Sequence, residues 1–408
     1  MLMAEGWSRH ALRFSDYYSS LNHNNLWTPP RLKSREWMFI PWGSRPPDRH
    51  RGFIDKSELL KYLQSRAPHS CFHSTAYYNY PSERKMIDKE WLGADLIFDL
   101  DGDHLPGVSD RDFPTMINLI QEQAWSLWED FLQPEFGFRE EYIQTSFSGH
   151  RGFHIHVRDP KLFHLDSNAR RELVNHIRGE GIDVRTTLAG PESQWKNRVQ
   201  NGIQTVIEKL KNISSEKSKN KHLIDNFTSI LVSRNNFSDN KLKSLTSKTI
   251  TKKILQLADL STDESRITRL NNDSSLLVFG ESLTPLFWEL VKGDSSVILG
   301  NAGETDEAVT VDVKRVIRHV GSLHGKCGLR VTDFPLKRLN PYDSEKFDPL
   351  SETIVFKGEK KTKLKFIVDD ATASLNGIEI SGSKGEIVEA NESLSMFLTL
   401  KGWAEVVR

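Results

Sequence analysis

Asp99 and Asp101 are the residues whose type and spacing point most directly to chemistry. They lie in DLIFDLDGDH (95–104), where Asp95, Asp99, Asp101 and Asp103 occupy alternate positions. In an extended strand alternate side chains share a face, so these carboxylates would lie side by side. A row of negative charge is unfavourable without a positive partner. Two such aspartates can bridge two divalent cations about 3.5–4 Å apart, as in two-metal phosphoryl transfer.

The chemistry of the ligands narrows the choice of ion. Carboxylate oxygens are hard ligands, and they suit Mg²⁺ or Mn²⁺, whose remaining positions go to water and substrate phosphates. The alternative is a solvated edge strand with scattered acids, because a D-x-D pattern alone is common by chance. The pattern therefore needs support from elsewhere in the chain.

A glycine-flanked basic turn provides a second candidate site. In SGHRGFH (148–154), two glycines let backbone amides approach a polyanion closely. Arg151 can donate a forked pair of hydrogen bonds to phosphate, Ser148 can donate one more, and His154 follows on the next strand. The alternative is an ordinary β-hairpin turn with exposed polar residues.

A third candidate lies near the carboxyl end, in TDEAVTVDVKRVIRHVGSLHGKCG (305–328). It carries two candidate acids, Asp306 and Asp312, then the basic Arg318 and a glycine-flanked turn around His324. The alternative is a helix whose charges face water, followed by a surface histidine. Taken together, the three segments favour nucleotidyl transfer, and the chain has no Walker A loop, kinase glycine loop or serine-hydrolase elbow.

The elements that must position these residues predict an α+β core with a mixed or antiparallel sheet. The acidic strand 94–101 precedes a helix near 111–132, and 142–157 reads as strand, tight turn and strand. From 196 to 290 Lys, Asn and Ser dominate and helical periods alternate with polar breaks. We therefore predict a first core segment (1–195), a helical insertion subdomain (196–290) and a second core segment (291–408) with strands and a last helix.

Composition restricts the class of protein. Lys plus Arg equals Asp plus Glu at 55 each, so a nucleic-acid surface must be a local patch. Cys71 and Cys327, the only two cysteines, exclude a disulfide framework and a multi-cysteine zinc site. With no signal-peptide core and no apolar run of membrane-spanning length, the sequence predicts a cytoplasmic protein without a membrane partner.

In their order and spacing, these segments resemble the archaeo-eukaryotic primase family, specifically the small catalytic subunit of archaeal DNA primase. The matching stretches are 35–39, 91–104, 148–157, 311–329 and 391–407. The resemblance implies a primase-polymerase (RRM-like) core that makes short RNA or DNA primers on single-stranded DNA during replication. It also implies nucleoside triphosphate substrates and a heterodimer with a primase large subunit.

The resemblance also implies roles for individual residues. The family's metal-binding catalytic aspartates fall on Asp99, Asp101 and Asp306, which would hold two Mg²⁺ or Mn²⁺ ions; Asp312 is the nearest rival for the third position. The residues implied to bind the nucleotide are Ser148, Arg151, His154, Arg318, His324 and Arg35.

Two departures from the family pattern matter. Archaeal relatives often carry a cysteine/histidine zinc knuckle after the D-x-D strand, but DHLPGVSDRDFP (103–114) has no cysteine, so we predict no structural zinc there. Near the histidine turn, Val320 stands where proline is common and Cys327 where threonine is common.

Three other functions compete with the primase prediction. A stand-alone primase-polymerase for gap filling or end joining would use the same chemistry. A two-metal phosphoesterase would also use strand acids, although water as the nucleophile does not call for a triphosphate pocket. A non-catalytic nucleic-acid-binding module is disfavoured, because Asp99 and Asp101 on its sheet would repel phosphate in the absence of metal.

Overall fold

The computed structural model describes residues 6–102, 108–179, 184–216, 220–233, 246–273, 278–293 and 307–407. The strands are β1 (Trp37–Ile40), β2 (Asp48–Arg51), β3 (Ser70–Ser74), β4 (Ala76–Tyr78), β5 (Trp91–Ala94), β6 (Leu96–Asp101), β7 (Ile143–Phe147), β8 (Gly152–Val157), β9 (Val316–Arg318), β10 (Thr332–Phe334), β11 (Thr362–Phe366), β12 (Ala371–Leu375), β13 (Ile378–Gly382), β14 (Ile387–Ala390) and β15 (Ala404–Val406). The helices are α1 (Gly6–Ser20), α2 (Lys56–Arg66), α3 (Phe113–Ser126), α4 (Ser167–Arg178), α5 (Val184–Ala189), α6 (Gln194–Ser215), α7 (Lys221–Ser233), α8 (Ser247–Leu260), α9 (Glu264–Asp273), α10 (Thr284–Gly293), α11 (Glu307–Val311), α12 (Pro349–Glu352) and α13 (Glu392–Leu400).

A four-stranded sheet in the order β10–β7–β8–β6 carries the acidic strand at its edge. All three pairings in this sheet are antiparallel. In β6 the apolar Leu96, Phe98 and Leu100 are fully buried, whereas Asp99 and Asp101 are partly exposed. Helix α3 packs against β8 and β6. The predicted α+β core with an antiparallel sheet is therefore confirmed.

A second four-stranded sheet, in the order β2–β1–β3–β9, brings Arg318 to the end of β9. Strand β9 pairs antiparallel with β3, with Arg318 opposite Phe72. Ile97 of β6, Val309 of α11 and Ile317 of β9 form one buried cluster. This apolar contact joins the two sheets, because each contributes a buried side chain to it.

The carboxyl-terminal elements complete this first unit. Strand β11 pairs with β14 and β15, and β12 forms a hairpin with β13. The Asn391 side chain accepts a hydrogen bond from the Leu394 amide and caps α13. Phe397 of α13 packs against Phe113 of α3 at a ring-centroid distance of 4.7 Å.

The chain divides into two compact units, and the described residues between 173 and 293 belong to the second. This unit contains helices α5 to α10, and its described part has no strand. Its core is a cluster of buried apolar side chains that includes Val199, Leu210, Phe227, Ile254 and Phe287. The helical insertion predicted at 196–290 lies within this unit.

To cross a bilayer, a helix must be both long and apolar. Within the ranges given above, no helix combines the necessary length with sufficient apolar character.

Candidate active site

The two aspartates of β6 project from the end of the strand where the hairpin β7–β8 makes its turn. In the antiparallel register Asp99 lies opposite His154, and Asp101 lies opposite Gly152. Their side chains are 18% and 43% exposed, so both reach solvent while the strand itself is anchored by buried Leu100. The strand thus presents two carboxylates on one accessible face.

A histidine ring and a guanidinium from the hairpin lie beside these carboxylates. His154 Nε2 is 3.4 Å from Asp99 Oδ1, and Arg151 Nε is 3.7 Å from Asp101 Oδ1. Because β8 is hydrogen-bonded to β6 along its length, the sheet itself sets this juxtaposition.

Ser148 fixes the conformation of the turn that carries Arg151. Its Oγ accepts hydrogen bonds from the amides of Gly152 (3.0 Å) and His150 (3.4 Å). Its own amide donates to the Gly152 carbonyl at 2.8 Å. The turn also needs Gly149, whose φ of +82° favours glycine.

The histidine turn of 324–328 packs against this hairpin turn. Its chain folds back tightly, with the Gly328 amide donating to the His324 carbonyl at 2.8 Å. The rings of His150 and His324 stack with centroids 4.7 Å apart. Cys327 Sγ donates to the Gly149 carbonyl at 2.8 Å, so Cys327 links the two turns.

Arg318 brings a further positive charge to the same place. Its guanidinium carbon lies 4.8 Å from the centroid of the Phe72 ring. Burial lowers the pKa of Arg318 to about 10, and the carboxylates of Asp99 and Asp101 are among the negative groups close enough to oppose that shift. Arg318 therefore remains a cation at neutral pH.

Burial favours the neutral form of the histidines of the site. Burial, followed by the charge of Arg318, lowers the pKa of His154 to about 3. Burial and Arg318 likewise hold the pKa of His324 well below its usual value. Burial and then Lys401 do the same for the pKa of His150. These rings act as hydrogen-bonding groups rather than as fixed charges.

Arg35, which we expected near the nucleotide, has a structural role instead. Its side chain is completely buried and forms an ion pair with Asp95 at 2.8 Å. The guanidinium also donates to Tyr77 and to the carbonyls of Pro30, Ser74 and Thr75. All of its N–H groups are used within the protein, so the structure leaves none for a phosphate.

Asp306 and Asp312 are the two candidates for the third acid of the site. Asp306 lies outside the described residues. Asp312, its rival, is exposed and accepts a hydrogen bond from the Lys314 amide. Its charge acts on Arg170, whose guanidinium contacts the Ala94 and Asp95 carbonyls at the far end of β6 from Asp101. Asp312 therefore lies near the guanidinium that binds the chain at the start of β6.

Sequence reasoning missed three polar residues that the structure places beside the site. His150 and Lys326 belong to the two turns already identified. The positive charge of Lys326, two residues after His324, could have identified it as a residue of the site. Lys401 contacts His150 from the end of α13, with 2.9 Å between Nζ and Nε2. Nothing local in the sequence connects residue 401 with residue 150.

Comparisons with known proteins identify the family of this chain. The family model described as DNA primase small subunit matches residues 98–334, more than half of the chain. The chain is 33% identical to DNA primase small subunit PriS of Methanothrix thermoacetophila, covering 97% of each protein. It is 34% identical to PriS of Methanosarcina barkeri, covering 96% of this chain and 95% of that protein. For PriS of Methanocella arvoryzae the identity is 33% over 96% of both. The chain therefore belongs to the DNA primase small subunit family.

Proposed function

We propose that this chain is a nucleotidyltransferase that makes short RNA or DNA primers on single-stranded DNA during replication. One observation carries the proposal: the β6–β8 register sets the carboxylates of Asp99 and Asp101 beside His154 and Arg151. A catalyst that joins nucleotides needs negative oxygens for metal ions next to positive groups for phosphates.

The donor set of the acidic strand suits two divalent cations. Asp99 and Asp101 offer accessible carboxylate oxygens, the ligands that Mg²⁺ and Mn²⁺ prefer. We propose Asp306 as the third ligand; α11, which begins at the next residue, packs through Val309 against Ile97 of β6. When bound, the ions would supply activation of the 3′-hydroxyl and charge neutralisation on the leaving pyrophosphate.

The remaining residues would bind and orient the triphosphate. Arg151 and Arg318 supply positive charge, and His154 and His324 supply hydrogen-bonding rings. Ser148 keeps Arg151 in place through its hydrogen bonds to the turn. Because the hairpin and the sheet hold these groups before the substrate arrives, little reorganisation is needed at the moment of reaction.

The proposed partners follow from the same function. The chain would bind a single-stranded DNA template and form a heterodimer with a primase large subunit in the cytoplasm. Its balanced net charge means that the template would contact local basic and aromatic surface.

The test is synthesis on a poly-pyrimidine template with nucleoside triphosphates and Mg²⁺ or Mn²⁺. We expect dinucleotides and short primers from the wild type and a loss of about a hundredfold or more in Arg151→Met. Arg139→Met, which alters an exposed arginine, is the matched control and should retain full activity.

Extension of a supplied primer without de novo synthesis would favour the gap-filling enzyme. Release of phosphate from a simple ester without dinucleotide formation would favour the phosphoesterase.

A further inference from the structure

A basic cavity of about 290 Å³ lies against the hairpin turn, two of whose residues line it. Its lining consists of Asp110, Arg111, His150, Arg151, Lys326, Leu400, Lys401 and Trp403. Four of these side chains are lysine or arginine and one is an acid, so the lining carries a clear excess of positive charge. The polymerisation site described above uses only Arg151 from this set.

The cavity and the candidate active site share two neighbouring residues of the turn. Arg151 lines the cavity and also lies 3.7 Å from Asp101. His150 lines the cavity and stacks on His324. A polyanion that is bound at the aspartates and extends past Arg151 would therefore reach this cavity.

Lys401 is held rigidly at the wall of this cavity. It ends α13, and its Nζ is 2.9 Å from His150 Nε2. The same ammonium lies 4.7 Å from the Trp403 ring centroid and 5.8 Å from that of Phe113. Burial, together with the nearby charges of Arg151 and Lys326, lowers the pKa of Lys401 to about 8. A bound anion would relieve this repulsion.

Arg111 lines the same cavity as Lys401. One of its terminal nitrogens donates to the Asp369 carbonyl at 2.7 Å, which anchors the guanidinium while its fork offers further donors. The cavity volume equals that of roughly ten water molecules at about 30 Å³ each. That space suits a phosphate group with its water, and it is too small for a run of nucleotides.

We propose that Lys401 and Arg111 form a subsite for the terminal phosphate of the incoming nucleoside triphosphate. The inference rests on the proposed function, since it extends the triphosphate path beyond Arg151. The subsite would make the enzyme select triphosphates over diphosphates before chemistry begins. Nucleoside monophosphates and diphosphates would not reach it.

The experiment measures binding of three nucleotides in the presence of Mg²⁺ by titration calorimetry. The probes are a triphosphate with a non-cleavable methylene bridge between its α- and β-phosphates, the matching diphosphate and the monophosphate. We expect Lys401→Met to weaken triphosphate binding about tenfold while diphosphate and monophosphate binding stay unchanged. Lys401→Arg should keep most of the preference because it keeps the charge. An unchanged triphosphate-to-diphosphate ratio in Lys401→Met, or an equal loss for all three nucleotides, would overturn the proposal.

Two further variants separate this effect from misfolding. Lys360→Met removes an exposed lysine and should bind all three nucleotides as the wild type does. If Lys401→Met lowers the melting temperature, Arg111→Gln tests the same subsite from its exposed side, and the same selective loss is expected. A wild type that makes primers, with variants that keep the triphosphate preference, would refute the subsite alone. A wild type that makes no primers would refute the proposed function.

Discussion

Arg35 and Arg151 carry the same guanidinium group, and their surroundings give them opposite roles. Arg35 is fully buried and donates all of its hydrogen bonds to the protein, including an ion pair with Asp95. Although burial favours the neutral acid, Arg35 and Arg158 hold the pKa of Asp95 below its usual value. Arg151 instead lies between an accessible carboxylate and an open cavity. A short motif gives only the residue type. Burial decides whether the arginine is structural, as Arg35 is, or accessible, as Arg151 is.

This difference predicts the effect of Arg35→Met. Removing one partner leaves the Asp95 carboxylate buried without its main counter-charge, and we expect the free energy of unfolding to fall by about 3–5 kcal/mol. Urea denaturation measures this loss, with the exposed Arg45→Met as the unaffected control. Unchanged stability together with a raised KM for the nucleotide would show that Arg35 acts in nucleotide binding and not in stabilising the fold.

At the scale of elements, the contact between the two turns is the feature on which the site depends. The hairpin turn and the histidine turn were each predicted from their glycines, since a tight reversal needs residues that tolerate positive φ. Their stacking through His150 and His324 is a long-range contact that periodicity cannot reveal. The same holds for α13, which supplies Lys401 from a segment far along the chain.

Gly149→Ala tests this contact. A Cβ atom there would lie 3.0 Å from His324 Cβ and 3.1 Å from Val331 Cγ2, so these neighbours must shift by a few tenths of an ångström and the contact between the turns is disturbed. We expect a loss of about 1–3 kcal/mol in stability and a raised KM for the nucleotide. Gly137→Ala is the matched control, because Gly137 also has positive φ (+66°) but has no atom within 4 Å of its added Cβ. Equal effects of both changes would mean that backbone strain, and not the contact between turns, explains the result.

At the scale of the whole molecule, the buried histidines make stability depend on pH. His319 is fully buried against Trp37, and neither ring nitrogen has a hydrogen-bond partner in the described part of the chain. Burial lowers the pKa of His319 to about 3, from 6.5 in an unfolded chain. Between these values the unfolded state binds the proton and the folded state does not. Stability contributed by this residue is therefore complete above pH 6.5 and is lost as the pH falls.

His319→Phe should remove this contribution while filling the same space. We expect stability at pH 7.5 to be unchanged or higher, and the decline between pH 6.5 and 4 to be shallower by up to about 1.4 kcal/mol per pH unit. Thermal or urea unfolding across this range measures the slope. The exposed His222→Asn is the control and should follow the wild type. Identical slopes for His319→Phe and the wild type would contradict the account.

The fold class and most of the site were predictable because their signals are local. Alternating Asp99 and Asp101 in an apolar run predicted the strand face, and glycines around Arg151 predicted the turn. Three features that the sequence did not predict depend on contacts between distant segments. They are the burial of Arg35, the position of Asp312 near Arg170, and the cavity around Lys401. These features are set by packing between elements, which a single sequence does not record.

The most direct test of the central claim is the rate of dinucleotide formation by Asp101→Asn on a single-stranded template. The change keeps the shape of the side chain and removes the negative charge proposed to hold the metal ions. We predict a loss of about a hundredfold or more at unchanged melting temperature, with the exposed Glu379→Gln as fully active control. A folded Asp101→Asn protein that forms dinucleotides at the wild-type rate would contradict the claim that the acidic end of β6 is the catalytic centre.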